Sequence, residues 1–368
     1  MRPIGNDGLA VYAHIRKNSN DLENSAVTER ADAQRGIAVI TTGGTIGSML
    51  GAGGRTVDPK GAALNALIDA LVARQGLSVE YLHPLNKISE DMAPADWGII
   101  NNAISGCLDK GIGRIVVTHG TDTLPYSITA AAAVHGGAAA RICFTGSYYG
   151  LDHADSDVGL SLEAAISAVT CDDIPNGVFA VFRDGPDNRG ALLHHPLRLK
   201  LMDPDSTFFE SLYGDTVASF TQSGGWCVNR GFSLGQDGFN LADLTNVFPA
   251  RLNAAAHRVA LASAYPGMDL SRFAPSVEKP LDGLIISLYH SGTGSSGPEA
   301  GAILDFMAGA GKGLPVLLAQ FPTRRIETPY ESTTKLVDAG ARLYGDLMPH
   351  HLYVFLTYGL ASGLEVSR

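Results

Sequence analysis

The sequence carries little charge for its length, and its positive charges are not clustered. Charged residues make up 17% of the 368 residues, and the formal net charge is −10. Average soluble domains carry roughly 25% charged residues. Proteins that bind a phosphate backbone need clustered Lys and Arg side chains. Because the chain has no run of Lys or Arg, we expect no nucleic-acid partner.

Cysteine pairs and long apolar runs are also missing. The longest alanine-rich stretch, residues 129–142, is interrupted by His135 and Arg141 and is too short to span a bilayer. Residues 1–35 are polar and contain no apolar core of a signal peptide. The cysteines form no CxxC pair, which favours reduced thiols in a cytoplasmic protein without a membrane partner. These cysteines are Cys107, Cys143, Cys171 and Cys227.

Short apolar runs that alternate with helical patterns dominate the rest of the chain. Strands that are apolar on both faces and alternate with helices indicate a parallel sheet that is covered on both sides. Ligands of such sheets bind beyond the carboxyl ends of the strands. The runs in the N-terminal half that predict strands are 36–42, 115–120, 140–147 and 177–182.

The chain is long enough for two domains, because a single core stops growing at about 250–300 residues. Gly, Asn, Asp and Ser become frequent after residue 183, and a second α/β pattern starts near residue 257. We expect an α/β protein with a larger N-terminal domain, in which helices cover both faces of a mostly parallel sheet, and a smaller C-terminal α/β domain. The expected segments are a polar N-terminal arm (1–35), the large domain (36–227), a linker (228–256) and the small domain (257–368).

Two of the predicted strands end in segments that are rich in hydroxyl groups and glycine. VITTGGTIGS (Val39–Ser48) follows the first strand, and VVTHGTDTL (Val116–Leu124) ends the second. Glycines let the backbone turn tightly and let a ligand approach it closely. A plain turn explains TGGT alone equally well, and Asp122 alone could be a helix N-cap. Two such strand ends that face each other across one crevice favour a catalytic site.

TGGTI and HGTDT resemble the two signature segments of bacterial-type L-asparaginases. SED (89–91), SDxG (156–159), GTGS (292–295) and GDLMP (345–349) extend this resemblance over most of residues 36–368. It implies that Thr45 attacks the side-chain amide of L-asparagine, or of L-glutamine, that ammonia leaves, and that water releases the acid. Thr121 and Asp122 then supply a second hydroxyl and a carboxylate.

The resemblance also implies how the substrate is bound. Asp122 and Glu90 are expected to bind its ammonium group. Ser89 and the backbone amides near Gly44 and Gly120 are expected to hold the carboxylate or the oxyanion. The expected ligand is a small-molecule amide, and neither an organic cofactor nor a metal is implied.

Asparaginases of this type form homodimers that are usually paired into tetramers. Each of their sites lies between the large domain of one subunit and the small domain of another. The resemblance therefore implies a homodimer or homotetramer with intersubunit sites, to which the partner subunit contributes Ser295 and Glu331.

Three features that activate the threonines in the family differ in this chain. The family's lysine aligns with Cys171, because residues 161–176 contain no lysine. The family's loop tyrosine aligns with Arg55 or Thr56. The segment after the third strand reads TGSYYGLDH (145–153) instead of small residues followed by Arg-Pro. A positioned acid or base contributes ~10²–10⁴ in rate, so another group has to substitute, the substrate differs, or the activity is weak.

The candidates for this substitution are Lys87, Tyr148, Tyr149, His153 and Cys171. The two tyrosines come first, because they follow a strand end and can reach the same crevice. Arg55 would favour a substrate with an extra carboxylate or a larger anionic amide.

Other functions are also compatible with the sequence. The threonine chemistry suits a different amide, such as a substituted asparagine, and a weakened homologue would bind a small amino acid as a sensor. GTGSSG (292–297) matches the dinucleotide fingerprint, but the acidic residue expected about 20 positions later is missing. His194 and His195 suggest a metal, but neighbours on a strand point to opposite faces, so we expect a surface pair.

Overall fold

The structure is a computed structural model of the chain. It describes residues 36–51, 54–57, 61–236, 239–240, 247–249, 257–268, 270, 281–296, 303–309, 311–320, 330–345 and 347–363. The expected N-terminal arm (1–35) lies outside the described residues. The chain divides between Arg251 and Leu252 into a larger and a smaller compact unit. The segment limits predicted from the sequence stay predictions.

The larger unit is built on one long sheet. In chain order the strands of this unit are β1 (Gly36–Thr41), β2 (Ser48–Gly51), β3 (Gly54–Val57), β4 (Ser78–Leu82), β5 (Arg114–Thr118), β6 (Arg141–Thr145), β7 (Gly177–Arg183), β8 (Gly190–His194), β9 (Ala218–Thr221), β10 (Gly225–Val228), β11 (Gly235–Gln236) and β12 (Phe239–Asn240). Eight of them form a sheet of order β10-β9-β8-β7-β6-β5-β1-β4. Strands β4, β1, β5, β6 and β7 are parallel, and β8, β9 and β10 extend the sheet by antiparallel pairs. The pairs β2–β3 and β11–β12 are separate hairpins.

Helices cover both faces of this sheet. They are α1 (Ala62–Arg74), α2 (Pro94–Asp109), α3 (Leu124–His135) and α4 (Val158–Thr170). Ile37 and Val39 of β1 pack into the core formed with α1 and α4, whereas Ala38 and Ile40 pack into the core formed with α2 and α3. Successive strand residues point to opposite faces, and both faces are buried, so the central strands are apolar at every position.

The strand order creates a crevice beside β1. From β1 the chain moves to β4 at one edge of the sheet, and it then returns to β5 on the other side of β1. Ligands of open parallel sheets bind beyond the carboxyl ends of the strands at such a switch point. Segments 42–47 and 119–123 follow β1 and β5, so both hydroxyl-rich segments lie at this place.

The smaller unit contains a parallel sheet of its own. Its strands are β13 (Val259–Ser263), β14 (Gly283–Ser287), β15 (Val316–Ala319) and β16 (Arg342–Tyr344), in that order across the sheet. Its helices are α5 (Ile303–Ala308), α6 (Glu331–Asp338) and α7 (Pro349–Ala361). The predicted fold class, a large helix-covered α/β sheet with a second smaller α/β sheet, is confirmed. None of the described helices has the length and apolar character that crossing a membrane requires.

Several elements were not predicted from the sequence: the β2–β3 hairpin, β4, α2, α6 and β16. Strand β4 (SVEYL) is only partly buried and carries Glu80, so it lacks the apolar run that marks the central strands. Helix α2 includes Gly98, Asn102 and Gly106, which weaken a helical pattern.

The expectation that His194 and His195 form a surface pair is wrong. Their exposed fractions are 0% and 9%. His194 ends β8, with its Nδ1 2.8 Å from Ser211 Oγ, and burial lowers its pKa to about 4. The Nδ1 of His195 accepts the backbone N–H of Leu197 at 3.2 Å. Among the described residues, no three His, Cys, Asp or Glu side chains gather as a metal site would require.

Candidate active site

The segment after β4 runs alongside the TTGG segment. The N–H and Oγ1 of Thr42 donate to the carbonyl of Thr118 at 3.2 and 2.9 Å. On the other side, the N–H of Lys87 donates to the carbonyl of Thr42 at 2.9 Å, and the N–H of Gly44 donates to the carbonyl of Lys87 at 3.0 Å. These hydrogen bonds hold the segments after β4, β1 and β5 side by side.

Close packing between these segments requires glycine at three positions. A Cβ on Gly44 would lie 2.4 Å from the N and Cα of Gly120. A Cβ on Gly43 would lie 2.2 Å from the carbonyl oxygen of Lys87, and one on Gly120 would lie 2.5 Å from the Cβ of Ser89. Gly43 and Gly44 also have φ angles of +106° and +82°. These glycines therefore allow protein segments to pack closely, and the prediction that they also admit substrate stays a prediction.

The three threonines of the TTGGT segment have different surroundings. The Oγ1 of Thr41 lies 2.6 Å from the Nδ1 of His83. The hydroxyl of Thr42 is bonded to the Thr118 carbonyl, as described above. Thr45 begins a short 3₁₀ turn and is partly exposed, and its hydroxyl makes no hydrogen bond to any described residue. Of the three hydroxyls, the one at Thr45 is thus without a hydrogen-bond partner in the described part of the chain.

Ser89 connects the SED turn to the HGTDT segment. The N–H of Thr123 donates to the Ser89 Oγ at 3.0 Å, and the Thr123 hydroxyl donates to the Ser89 carbonyl at 2.8 Å. The two hydroxyl oxygens are 3.1 Å apart, so the Ser89 hydroxyl donates to Thr123. The side chain of Ser89 is buried, whereas that of Glu90 is exposed. Thr123 was not among the predicted site residues, and only its place within HGTDT pointed to it.

Thr121 and Asp122 lie on the turn between β5 and α3. Thr121 is partly exposed and Asp122 is exposed. Helix α3 begins after Thr123, its N-cap residue, so the carboxylate of Asp122 does not cap it. A Cβ on Gly146, which follows β6, would lie 3.5 Å from the Cγ2 of Thr121. Thr121 therefore lies beside the loop after β6, and its neighbour Gly120 lies against Gly44.

A buried histidine supports this turn. His119 is fully buried, and its Nδ1 lies 2.8 Å from the carbonyl oxygen of Gly120. Because a carbonyl oxygen only accepts, Nδ1 carries the proton. Burial lowers the pKa of His119 to about 4, although the Gly120 carbonyl and the charge of Asp96 act in the opposite direction. The ring is therefore neutral near pH 7 and holds the Gly120 peptide.

Two of the groups expected to replace the family's lysine are now placed. The Nζ of Lys87 lies 2.9 and 2.8 Å from the two carboxylate oxygens of Asp96, which also accepts the N–H of Ala93 at the start of α2. The ammonium of Lys87 is thus paired. Cys171 follows the last residue of α4 and is partly buried at the rim of the core.

The two tyrosines of the loop after β6 are held in place. The buried carboxylate of Asp157 accepts the N–H of Tyr148 at 2.9 Å and that of Tyr149 at 2.8 Å. The ring of Tyr149 stacks on His153 with centroids 4.1 Å apart. The ring of Tyr148 meets it edge-on at 4.9 Å. We call residues 146–157 the Tyr148 loop.

Arg55 lies in β3, opposite Leu50 of β2. The side chains of both strands' residues from Met49 to Val57 lie outside the described part of the structure. The predicted role of Arg55 stays a prediction.

Ser295 and Glu331 both belong to the smaller unit. Ser295 is partly exposed in the loop after β14, and Glu331, the first residue of α6, is exposed and paired with Lys335 at 2.8 Å. The hydroxyl of Thr333 donates to the carbonyl of Gly292 at 2.7 Å, so this loop is bound to α6. This structural contact accounts for part of the GTGSSG segment without a dinucleotide.

The chain is similar to known proteins in sequence. Residues 36–224 match the family model of the asparaginase N-terminal domain. The D subunit of glutamyl-tRNA(Gln) amidotransferase from Aeropyrum pernix is 26% identical over 341 residues, which cover 91% of this chain and 76% of that protein. The corresponding protein of Thermoplasma volcanium is 25% identical over 363 residues, which cover 96% of this chain and 83% of that protein.

Solved structures share the fold. The L-asparaginase of Thermococcus kodakarensis superimposes with a TM-score of 0.70 at 20% identity and covers 90% of this chain and 94% of its own. The probable cytoplasmic L-asparaginase of Campylobacter jejuni gives a TM-score of 0.64 at 18% identity, with coverages of 88% and 94%. Since the family model spans more than half of the sequence, the chain belongs to the asparaginase family of amidohydrolases, as a divergent member.

Proposed function

We propose that the protein hydrolyses the side-chain amide of L-asparagine or of a close analogue, with Thr45 as the nucleophile. The observation that carries this proposal is the contact between Gly44 and Gly120. It joins the backbone directly before Thr45 to the backbone directly before Thr121 at the switch point of the sheet, which supports a shared site for Thr45, Thr121 and Asp122. The hydroxyl of Thr45 makes no hydrogen bond within the described structure, which suits a group that attacks a bound substrate.

In the proposed reaction, the Thr45 oxygen forms an ester bond to the amide carbon. The C–N bond breaks, and the nitrogen takes up the hydroxyl proton and leaves as ammonia. Water then cleaves the ester, which releases the acid and restores Thr45. Thr121 and Asp122 are proposed to transfer the proton. The N–H of Gly44 donates to the Lys87 carbonyl. We therefore propose that the backbone N–H groups of Thr45 and Gly120 stabilise the oxyanion.

The substrate's ammonium group is proposed to bind the exposed carboxylates of Glu90 and Asp122. The hydroxyl of Ser89 is engaged with Thr123, so we propose that Ser89 positions the turn as well as facing the substrate carboxylate. A homodimer or homotetramer, with Ser295 and Glu331 supplied by the partner subunit, completes the proposed site.

A second candidate substrate is the amide of glutamine. It is favoured by the similarity to two amidotransferase subunits over 91% and 96% of the chain. In that case the ammonia would pass to an acceptor bound by a partner protein, and free glutamine would be cleaved in the partner's absence at a low rate.

Ammonia release from L-asparagine, L-glutamine and D-asparagine tests the proposal. Thr45→Ala should lose at least about 10³-fold in kcat, because a nucleophile is removed. Thr41→Ala is the matched control, since its hydroxyl faces His83, and it should keep activity within about fivefold. Turnover that survives in Thr45→Ala contradicts the assignment. Binding of asparagine without any turnover would instead support a sensor.

A further inference from the structure

The strand order gives the candidate site two different flanks. Strands β6, β5, β1 and β4 are neighbours in that order, and their carboxyl ends lie at one edge because they are parallel. Thr45 and Thr121 follow the two middle strands. Ser89 and Glu90, which are proposed to hold the amino-acid end of the substrate, follow β4, and Asp122, which is proposed to share its ammonium group, follows β5. The flank away from β4 is the Tyr148 loop, which follows β6, and the proposed binding mode turns the amide end of the substrate towards it.

This flank is rigid. Arg183, at the end of β7, is buried, and its Nε and Nη2 donate to the carbonyls of Gly185 and Pro186 at 2.8 and 2.6 Å. Its guanidinium carbon lies 5.9 Å from the ring centroid of Tyr149. The ring of Tyr149 thus contacts both the Arg183 guanidinium and His153, and it supports the ring of Tyr148. A ring that is already ordered loses little entropy when it binds a ligand.

The flank also offers unused contacts. Tyr148 is 39% exposed. Its neighbour Ser147 is only 1% exposed, and the Ser147 hydroxyl has no hydrogen-bond partner among the described residues. A Cβ added to Gly146 would lie 3.5 Å from the Cγ2 of Thr121, so the loop begins beside the proposed catalytic turn. A hydroxyl without a partner among the described residues and an exposed, supported aromatic ring therefore lie one and two residues beyond Gly146.

We infer that Tyr148 forms a subsite for a planar group on the amide nitrogen, so that the enzyme prefers N-substituted asparagine amides to asparagine itself. The inference rests on the proposed function. With the anilide of the aspartate side chain, Thr45 forms the same ester, the C–N bond breaks, and the nitrogen takes the hydroxyl proton and leaves as aniline. Water then releases aspartate. The ring of the leaving aniline stacks on Tyr148.

Kinetics with L-aspartate β-anilide and L-asparagine test this inference. The wild type should show the lower KM for the anilide. Tyr148→Ala should raise that KM about threefold to tenfold, which is the size of one aromatic pair contact, and should leave the KM for asparagine within twofold. Tyr148→Phe keeps the ring and should keep the wild-type KM for the anilide.

Leu201→Ala is the matched control. Leu201 is also 39% exposed, but it follows β8, which runs antiparallel to β7 and ends at the other edge of the sheet. It should change neither KM. An unchanged anilide KM in Tyr148→Ala, or an anilide KM raised as far in Tyr148→Phe as in Tyr148→Ala, overturns the subsite.

Anilide binding to Thr45→Ala separates this inference from the proposed function. Calorimetry should show that adding Tyr148→Ala to this variant weakens anilide binding by the same threefold to tenfold. If the wild type cleaves no amide while this binding difference persists, the proposed function fails and the subsite stands. If cleavage occurs and the binding difference is absent, the subsite fails and the proposed function stands.

Discussion

At the scale of the residue, the glycines of the candidate site are distinguished by what lies next to them. Gly44 has φ +82° and ψ −178°, a region that is essentially closed to other residues. The backbone of Gly120 also fills the space that a Cβ on Gly44 would need. Gly76, at the end of α1, has φ +67°, but a Cβ added there would point into open space. An alanine at Gly44 would cause both backbone strain and steric overlap, whereas an alanine at Gly76 would cause backbone strain alone.

Gly44→Ala should lower the free energy of unfolding by more than about 3 kcal/mol and abolish amide hydrolysis, because strain and overlap act together. Gly76→Ala should cost only about 1–2 kcal/mol, the strain alone, and should keep its activity. Urea unfolding and ammonia release measure both effects. Equal losses of stability in the two variants would show that the contact between Gly44 and Gly120 is not tight.

At the scale of the element, the Tyr148 loop depends on one buried carboxylate. Asp157 accepts two consecutive backbone N–H groups and lies at the start of α4. Hydrogen bonds to a charged acceptor each contribute about 1.5–3 kcal/mol. The loop has no regular secondary structure of its own, so these hydrogen bonds and the ring contacts determine its conformation.

Asp157→Ala should therefore lower the free energy of unfolding by about 3 kcal/mol and speed amide exchange in residues 146–157. Asp155→Ala is the control within the same loop, because its side chain is 80% exposed and its carboxylate lies 3.9 Å from the Nδ1 of His153. Hydrogen exchange followed by mass spectrometry reports both. Exchange that is as slow in Asp157→Ala as in Asp155→Ala would refute this role.

At the scale of the whole molecule, buried neutral histidines make folding sensitive to acid. Burial lowers the pKa of His119, His135 and His194 to about 4 each. The pKa of an unfolded histidine is about 6.5. Between these values the unfolded chain binds more protons than the folded one, so stability falls as the pH falls. The contribution of each neutral histidine is present above about pH 6.5 and is lost towards pH 4.

We expect the free energy of unfolding to fall between pH 7 and pH 4.5 by roughly 2 kcal/mol for each of these histidines. His194→Gln should reduce this loss of stability by the contribution of one histidine, roughly 2 kcal/mol. His290→Gln, at an exposed site, should leave the loss unchanged. Urea unfolding at a series of pH values measures the loss. Identical pH profiles for His194→Gln and the wild type would contradict the buried neutral state.

The sequence by itself determined the central strands, several of the helices that cover them, and the two threonine segments. These features are local: an apolar run of five or six residues, a helical repeat, or a cluster such as HGTDT is visible without knowledge of its neighbours in space. The same holds for family membership, since TGGTI and HGTDT occur in the expected order.

Only the tertiary structure decided which of these hydroxyls form hydrogen bonds within the described structure and which polar side chains are buried. Thr42 and Thr45 look alike in the sequence, but the hydroxyl of Thr42 is bonded to Thr118 once β1 and β5 pair. His194 and His195 looked like surface residues, yet the sheet and the turn after β8 bury them. Such outcomes depend on strand order and on contacts between segments that are far apart in the chain. A hydrogen-bond partner or a covering side chain from another strand leaves no mark on the local pattern.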